Sequence, residues 1–134
     1  MSNKIRIQTN AAAPVLGTYS QGIRATGDII FLSGQTGRNE DGKMEQGVEA
    51  QTLQTLANID AVLNSAGCGR GDIAKVTFMM VDLKKDYKTI DTIYAAWLPG
   101  DTVTPPKPTR TAFQVAALPA EALLMIEVTA ISPT

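Results

Sequence analysis

The sequence predicts an α+β fold, a six-stranded mixed sheet with two helices on one face. Three observations predict it. The elements read in the order β-β-β-α-β-α-β-β. Only two stretches carry helical periodicity, and two helices cover one face of such a sheet. The last long strand is apolar on both faces, with Leu124, Ile126 and Val128 on one and Leu123, Met125 and Ile131 on the other. No third helix remains for the second face, so a second copy of the chain is expected to cover it in a closed homo-oligomer.

Lys4 to Thr9 reads as a short first strand, and Asn10 to Leu16, with Pro14, as a loop. Ile23 to Ala25 and Ile29 to Ser33 read as two strands joined in a hairpin by Thr26-Gly27-Asp28, where Gly27 can take positive φ. Val48 to Ala66 is the first helix. Leu53, Leu56, Ile59, Leu63 and Ala66 fall on one face, Gln51, Gln54, Asn58 and Asn64 fall elsewhere, and Gly67 is placed to end the helix. Ile73 to Val81 is a strand. A second helix, capped by Asp82 or Asp86, runs to about Trp97 with Tyr87, Ile90, Tyr94 and Trp97 as its apolar stripe. Pro99-Gly100 stops it. Strands over Arg110 to Val115 and Leu123 to Ile131 flank a turn at Leu118-Pro119.

Composition narrows the function. The 134 residues suffice for one domain, taken as 1–134, and are too few for two. A net charge of −1 without a basic run argues against a nucleic-acid or anionic-membrane surface. The single cysteine, Cys68, rules out an intramolecular disulfide and has no cationic cluster around it. No stretch approaches the ~20 apolar residues of a membrane span. The first eight residues lack a signal-peptide core, so a cytoplasmic location is expected. Histidine is absent, which excludes Ser-His-Asp and Cys-His nucleophile systems and most zinc sites. No metal or other cofactor is expected.

The chemistry centres on Lys107-Pro108-Thr109-Arg110-Thr111. Pro105, Pro106 and Pro108 restrain the chain and deliver one arginine to the start of a strand. Two readings of Arg110 stand side by side. A guanidinium held this way fits a ligand carboxylate with two parallel hydrogen bonds. It equally suits a structural Asp or Glu at a strand end, the commoner use of such a residue. Tyr19-Ser20-Gln21-Gly22 and Ser33-Gly34-Gln35 also sit at turns or strand ends. Tyr19 and Ser33 could orient a small ligand that the Gly34 backbone approaches closely, or they could serve the turns alone. Lys84, Lys85 and Lys88 read as a solvated helix face, and Tyr87 and Trp97 as core. Gly67-Cys68-Gly69-Arg70-Gly71 lacks the Lys-Ser/Thr of a phosphate loop.

Together these stretches resemble the RidA/YjgF family, reactive intermediate deaminase A. The resemblance runs from about Pro14 to Ile131. It rests on Gly17-Thr18-Tyr19-Ser20-Gln21-Gly22, Phe31-Leu32-Ser33-Gly34-Gln35, Asp72-Ile73-Ala74-Lys75-Val76-Thr77, Pro108-Thr109-Arg110-Thr111 and Val115-Ala116-Ala117-Leu118-Pro119. It implies a homotrimeric, chorismate-mutase-like sandwich with pockets between subunits. It also implies hydrolysis of 2-imino acids, such as 2-iminobutanoate and 2-iminopropanoate, to 2-oxo acids and ammonia. These imines come from pyridoxal-phosphate-dependent dehydratases, which are the expected functional link. By the same resemblance, Arg110 binds the substrate carboxylate, Tyr19 and Ser33 line the pocket, and the Gly34 and Ala112 backbones contact the ligand. Two positions depart from the family. Ala112 stands where deaminase members carry cysteine. Met125 stands where they carry a glutamate that helps place the water, and Glu127 shares its face one pleat further on. The family also often has Asn where Asp91 stands. The alternative to a deaminase is a non-catalytic trimer that binds 2-oxo acids or similar small carboxylates. Ribonuclease activity is disfavoured by the charge and the missing histidine, and chorismate mutase activity rests on fold likeness alone.

Overall fold

The computed structural model describes residues 3–99 and 105–132. Six strands and two helices occur in the expected order: β1 Lys4–Ile7, β2 Gly22–Ala25, β3 Asp28–Phe31, α1 Val48–Ser65, β4 Ile73–Met80, α2 Leu83–Trp97, β5 Thr109–Gln114 and β6 Leu124–Ser132. Single 3₁₀ turns, Arg70–Asp72 and Pro119–Glu121, precede β4 and β6. The pairing departs from a single sheet. Strands β3, β6, β4 and β5 form a four-stranded sheet in that order, and β1 and β2 form a separate antiparallel ribbon. The expected β2–β3 hairpin is therefore not formed. Ladder groups of β2 are taken by β1, from Lys4↔Ala25 to Ile7↔Gly22, and β3 pairs instead with β6, from Asp28↔Ser132 to Phe31↔Thr129. Gly27, at φ 131°, turns the chain between the two.

The four-stranded sheet is mixed, because β4 runs antiparallel to β6 and parallel to β5. One face is the core. Val76, Phe78 and Met80 of β4 and Leu124, Ile126, Val128 and Ala130 of β6 are at most 1% exposed. Leu56, Ile59 and Leu63 of α1 and Ile90 and Tyr94 of α2 cover them. Among the described residues no helix lies on the opposite face, in line with the two-faced apolar pattern of β6. That face leaves Ile29, Phe31 and Phe113 at 57%, 77% and 42% exposure.

Helix α1 corrects the sequence reading of its faces. Leu53 is exposed, and Gln51, Thr52 and Thr55 are buried instead. Burial is possible because each polar group is satisfied nearby. The Thr52 and Thr55 hydroxyls donate to the carbonyls of Val48 (2.6 Å) and Gln51 (2.7 Å), one turn back. The Gln51 side chain donates to Glu45 O (3.0 Å) and accepts from Leu123 N (2.9 Å). Other local signals hold. Gly67 takes φ +73° at the end of α1, and the Asp82 side chain caps α2 by accepting from Lys85 N at 3.2 Å. Of the expected α2 stripe, Ile90 and Tyr94 are fully buried and Tyr87 and Trp97 only half-buried. Cys68 is buried. Gly100, part of the expected helix stop, lies outside the described residues.

The ribbon is joined to the rest through Lys4, which is 4% exposed. Its Nζ donates to the carbonyls of Ile73 (2.6 Å) and Pro106 (3.1 Å), linking β1 to both β4 and the proline-rich approach to β5. Burial pulls the ammonium pKa from 10.5 down to about 8, with Asp72 acting in the opposite direction. Above about pH 8 the folded chain gives up a proton that the unfolded chain holds to about pH 10.5, so the unfolded state is the more protonated. Lys4 therefore makes stability rise with pH across that window. Denaturant titrations from pH 7.5 to 10.5 should show this slope in the parent and a flatter one in Lys4→Met. Equal slopes would contradict the assignment.

Candidate functional site

The site is built around Arg110. Pro106 and Pro108 are buried on the approach to β5, so the strand enters with its direction set. Arg110 opposes Val76 across the parallel β4–β5 pair and points, as Val76 does, toward the helix layer. There its Nη1 donates to Asp91 Oδ1 and its Nη2 to the Tyr87 hydroxyl, both from α2. Four rings surround the guanidinium carbon. Their centroids lie 4.8 Å away for Phe78, 5.5 Å for Tyr87, 5.6 Å for Tyr19 and 5.8 Å for Tyr94. Each is within cation–π range, which stabilises a charge removed from water. The Arg110 side chain is 3% exposed and that of Asp91 23%. Within the chain Arg110 thus has a carboxylate partner, supplied by the middle of α2 and not by a strand end. Three of its five N–H donors make no hydrogen bond among the described residues.

Tyr94 completes the wall. Its hydroxyl is buried and has no hydrogen-bond partner among the described residues. Burial pushes its pKa well above the usual phenol range, against the pull of Arg110 and with a further push from Asp91. It is a neutral donor at any physiological pH.

The Tyr19 loop is fixed over Arg110 by neighbours whose roles are structural. The Ser20 N–H and hydroxyl donate to the carbonyls of Pro108 (3.1 Å) and Lys107 (2.5 Å), fastening the loop to the proline-rich approach. Gln21 accepts from Thr9 N (2.7 Å) and donates to Ala13 O (2.8 Å), holding the preceding loop. The Tyr19 hydroxyl accepts from Leu16 N at 3.1 Å. A β-carbon on Gly17 would lie 3.3 Å from Arg110 Nη2, so glycine there lets the backbone close on the guanidinium.

Ala112 lies two residues beyond Arg110 on the same face of β5, opposite Phe78. β5 is an edge strand. The Val115 N–H donates inward to Met80 O at 2.9 Å. Backbone directions alternate along a strand, so the N–H and C=O of Ala112 point away from the sheet and can meet a ligand.

Ser33 and Gly34 lie elsewhere. They follow β3, the opposite edge strand, with β6 and β4 between them and Arg110. Three strand spacings separate the edges by about 14 Å. They also differ in face. A β-carbon on Gly34 would meet Met125 Sδ at 2.5 Å and Cγ at 2.8 Å, and Met125 belongs to the helix-free side. The Ser33 hydroxyl is exposed and makes no hydrogen bond among the described residues. The chain therefore brings together Arg110, Tyr19 and Ala112, with Ser33, Gly34 and Met125 forming a second group at the other edge.

Tyr87 and Asp91 were not singled out as partners of Arg110 from sequence chemistry. A signal was available: Tyr87, Asp91 and Tyr94 stand at i, i+4 and i+7, one face of α2. Among the described residues, no group of three or more Cys, Asp or Glu is placed to hold a metal ion, and no helix is long and apolar enough to cross a membrane.

Residues 9–132 match the family model described as Endoribonuclease L-PSP. The chain is 41% identical over 123 residues to the Reactive Intermediate Deaminase A, chloroplastic, of Arabidopsis thaliana. That match covers 90% of this chain and 62% of the relative, so the chain spans less than two thirds of that protein. It is 34% identical to the 2-iminobutanoate/2-iminopropanoate deaminase of Mus musculus over 98% of this chain and 95% of that one. Among solved structures it is similar to Escherichia coli TdcF with bound serine, at a TM-score of 0.71 and 34% identity, with 96% and 98% of the two chains covered.

Proposed function

The chain belongs to the Endoribonuclease L-PSP family, the RidA/YjgF group that includes reactive intermediate deaminases, and on that premise we propose that it hydrolyses reactive 2-imino acids to 2-oxo acids and ammonia. The observation that carries the reading is Arg110 itself, a guanidinium walled by Tyr19, Phe78, Tyr87 and Tyr94 beside the outward backbone of Ala112. In this proposal the remaining Arg110 donors bind the substrate carboxylate, and Tyr19 and the Ala112 backbone orient the imine.

Little more than orientation is needed. The carbon of a protonated imine is already electrophilic, so holding it and admitting water supplies much of the acceleration. Water adds to that carbon to give a carbinolamine, a proton passes to nitrogen, and the C–N bond breaks to release ammonia and leave the 2-oxo acid. No histidine is required.

Ser33 and Gly34 stand about 14 Å from this centre in the same protomer, by strand spacing. We therefore place them in a site that spans two subunits, with the β3 end of one copy closing over the β5 edge of the next. The open sheet face, with Ile29, Phe31 and Phe113 exposed, is the surface that a homotrimer would bury. Imines supplied by a pyridoxal-phosphate-dependent dehydratase are the proposed source of substrate.

A second reading is favoured by one residue. Met125, beside Gly34, cannot accept a proton, which suits a trimer that binds 2-oxo acids without turnover. A threonine dehydratase coupled to the protein decides between them by following decay of 2-iminobutanoate. Faster decay in the parent is expected, and Met125→Glu should raise it about a hundredfold, the low end of what a positioned acid–base group contributes. No acceleration by either protein, with 2-oxobutanoate still bound, would leave only the binding trimer.

A further inference from the structure

We propose that Asp91 sets the charge class of ligand accepted at Arg110, favouring zwitterionic 2-iminium or 2-ammonium carboxylates over singly negative 2-oxo acids. This rests on the reading of Arg110 as a carboxylate site. Arg110 and Asp91 touch through Nη1 and Oδ1 and form a pair with no net charge. Of the two, the arginine side chain is almost wholly buried and the aspartate is the more exposed. A 2-oxo acid would bring an uncompensated negative charge against that pair, among the rings of Phe78, Tyr87 and Tyr94. An isolated charge is costly in such surroundings.

A 2-iminium acid brings both signs on adjacent carbons. Its carboxylate meets the Arg110 donors that Asp91 and Tyr87 leave over, and its N–H groups meet Asp91. Oδ2 of Asp91 accepts no hydrogen bond among the described residues, so it offers that acceptor. The two charges of the ligand then lie beside the two charges of the pair, each next to its opposite. The same contact favours the protonated imine over the neutral one, and the protonated form is the one that water attacks. Asp91 thereby becomes a specificity-determining residue. It also reconciles the two readings of Arg110, because the structural carboxylate is itself part of the recognition.

The test is calorimetric titration of the full chain with two probes of equal size, 2-oxobutanoate and L-2-aminobutanoate, against the parent, Asp91→Asn and Asp91→Glu. Asn keeps an acceptor for Arg110 and removes the charge; Glu keeps the charge. The parent should bind 2-aminobutanoate at least about tenfold more tightly, one unit of 1.4 kcal/mol. Asp91→Asn should reverse the preference, and Asp91→Glu should retain its direction. A parent that prefers 2-oxobutanoate, or a preference unchanged in Asp91→Asn, overturns the role of Asp91 and leaves the carboxylate site intact. Binding of both probes that survives Arg110→Met overturns the carboxylate site, and this inference with it. Thermal unfolding of each variant checks that the fold is kept.

Discussion

Replacing Arg110 with methionine is expected to weaken small-carboxylate binding at least about tenfold and to lower stability at once. Methionine keeps most of the stem volume, so the packing against Phe78 and Tyr94 is largely retained. What is lost is the charge. The Asp91 carboxylate and the Tyr87 hydroxyl both lose their donor. Removing one member of a buried ion pair costs about 3–5 kcal/mol, and the 23% exposure of Asp91 puts this case near the lower bound. For a chain of this length that is a fall of roughly 10 °C in Tm, compared at equal chain concentration. Each charge-assisted hydrogen bond withdrawn from a ligand removes about 1.5–3 kcal/mol, so affinity should drop at least about tenfold.

The two effects separate in the double variant Arg110→Met/Asp91→Leu. It replaces the pair with apolar groups of similar size, a change that is often neutral or stabilising. Tm should recover most of the loss, and ligand binding should not return. A double variant that recovers both would show that Arg110 acts on the ligand only through the fold. A single variant with unchanged Tm would mean that the Asp91 contact contributes nothing to stability.

Only part of this arrangement could be read in the sequence. The proline-rich approach marked Arg110 because Pro restrains its neighbours locally, whatever the tertiary structure. Gly67 and Asp82 were legible for the same reason, since helix ends obey local rules. Tyr87 and Asp91 were not, because they lie 23 and 19 residues from Arg110 in sequence and their pairing with it depends on α2 lying over the parallel β4–β5 pair. The division of the sheet was hidden too. Strands of four residues fix neither partner nor edge; β3 joins β6 with Ile30, packed against the core, opposite the buried Ala130. The burial of Gln51, Thr52 and Thr55 ran against their polarity, because their partners lie one turn back or on another segment. The separation of Ser33 from Arg110 follows from strand order, which no local motif records.

Gly27 carries the largest purely structural effect. It sits between β2 and β3 at φ 131°, a backbone region that residues with a β-carbon rarely enter. A β-carbon there would lie 2.2 Å from the carbonyl oxygen of Ser132 and 3.1 Å from Ile131 Cγ2. The first of these is backbone of β6 and cannot rotate away. Gly27→Ala must therefore shift either the ribbon or the β3–β6 pair. Adding the strain of the dihedral to that of overpacking gives a cost of about 3 kcal/mol or more. Gly67→Ala is the matched control. It has φ +73° and nothing within 4 Å of the added carbon, so it should cost only the left-handed backbone penalty, about 1 kcal/mol. Urea unfolding of both variants should give a clear excess for Gly27→Ala, and equal costs would show that the contact with Ser132 relaxes freely. The effect should also be directional. Ser33 and Gly34 follow β3 and move with it, whereas Arg110, Tyr87 and Asp91 are held by β5 and α2. In Gly27→Ala that remains folded, backbone amide exchange should rise in β3 and stay low in β5. Uniform loss of protection would mean instead that the two edges of the sheet unfold as one unit.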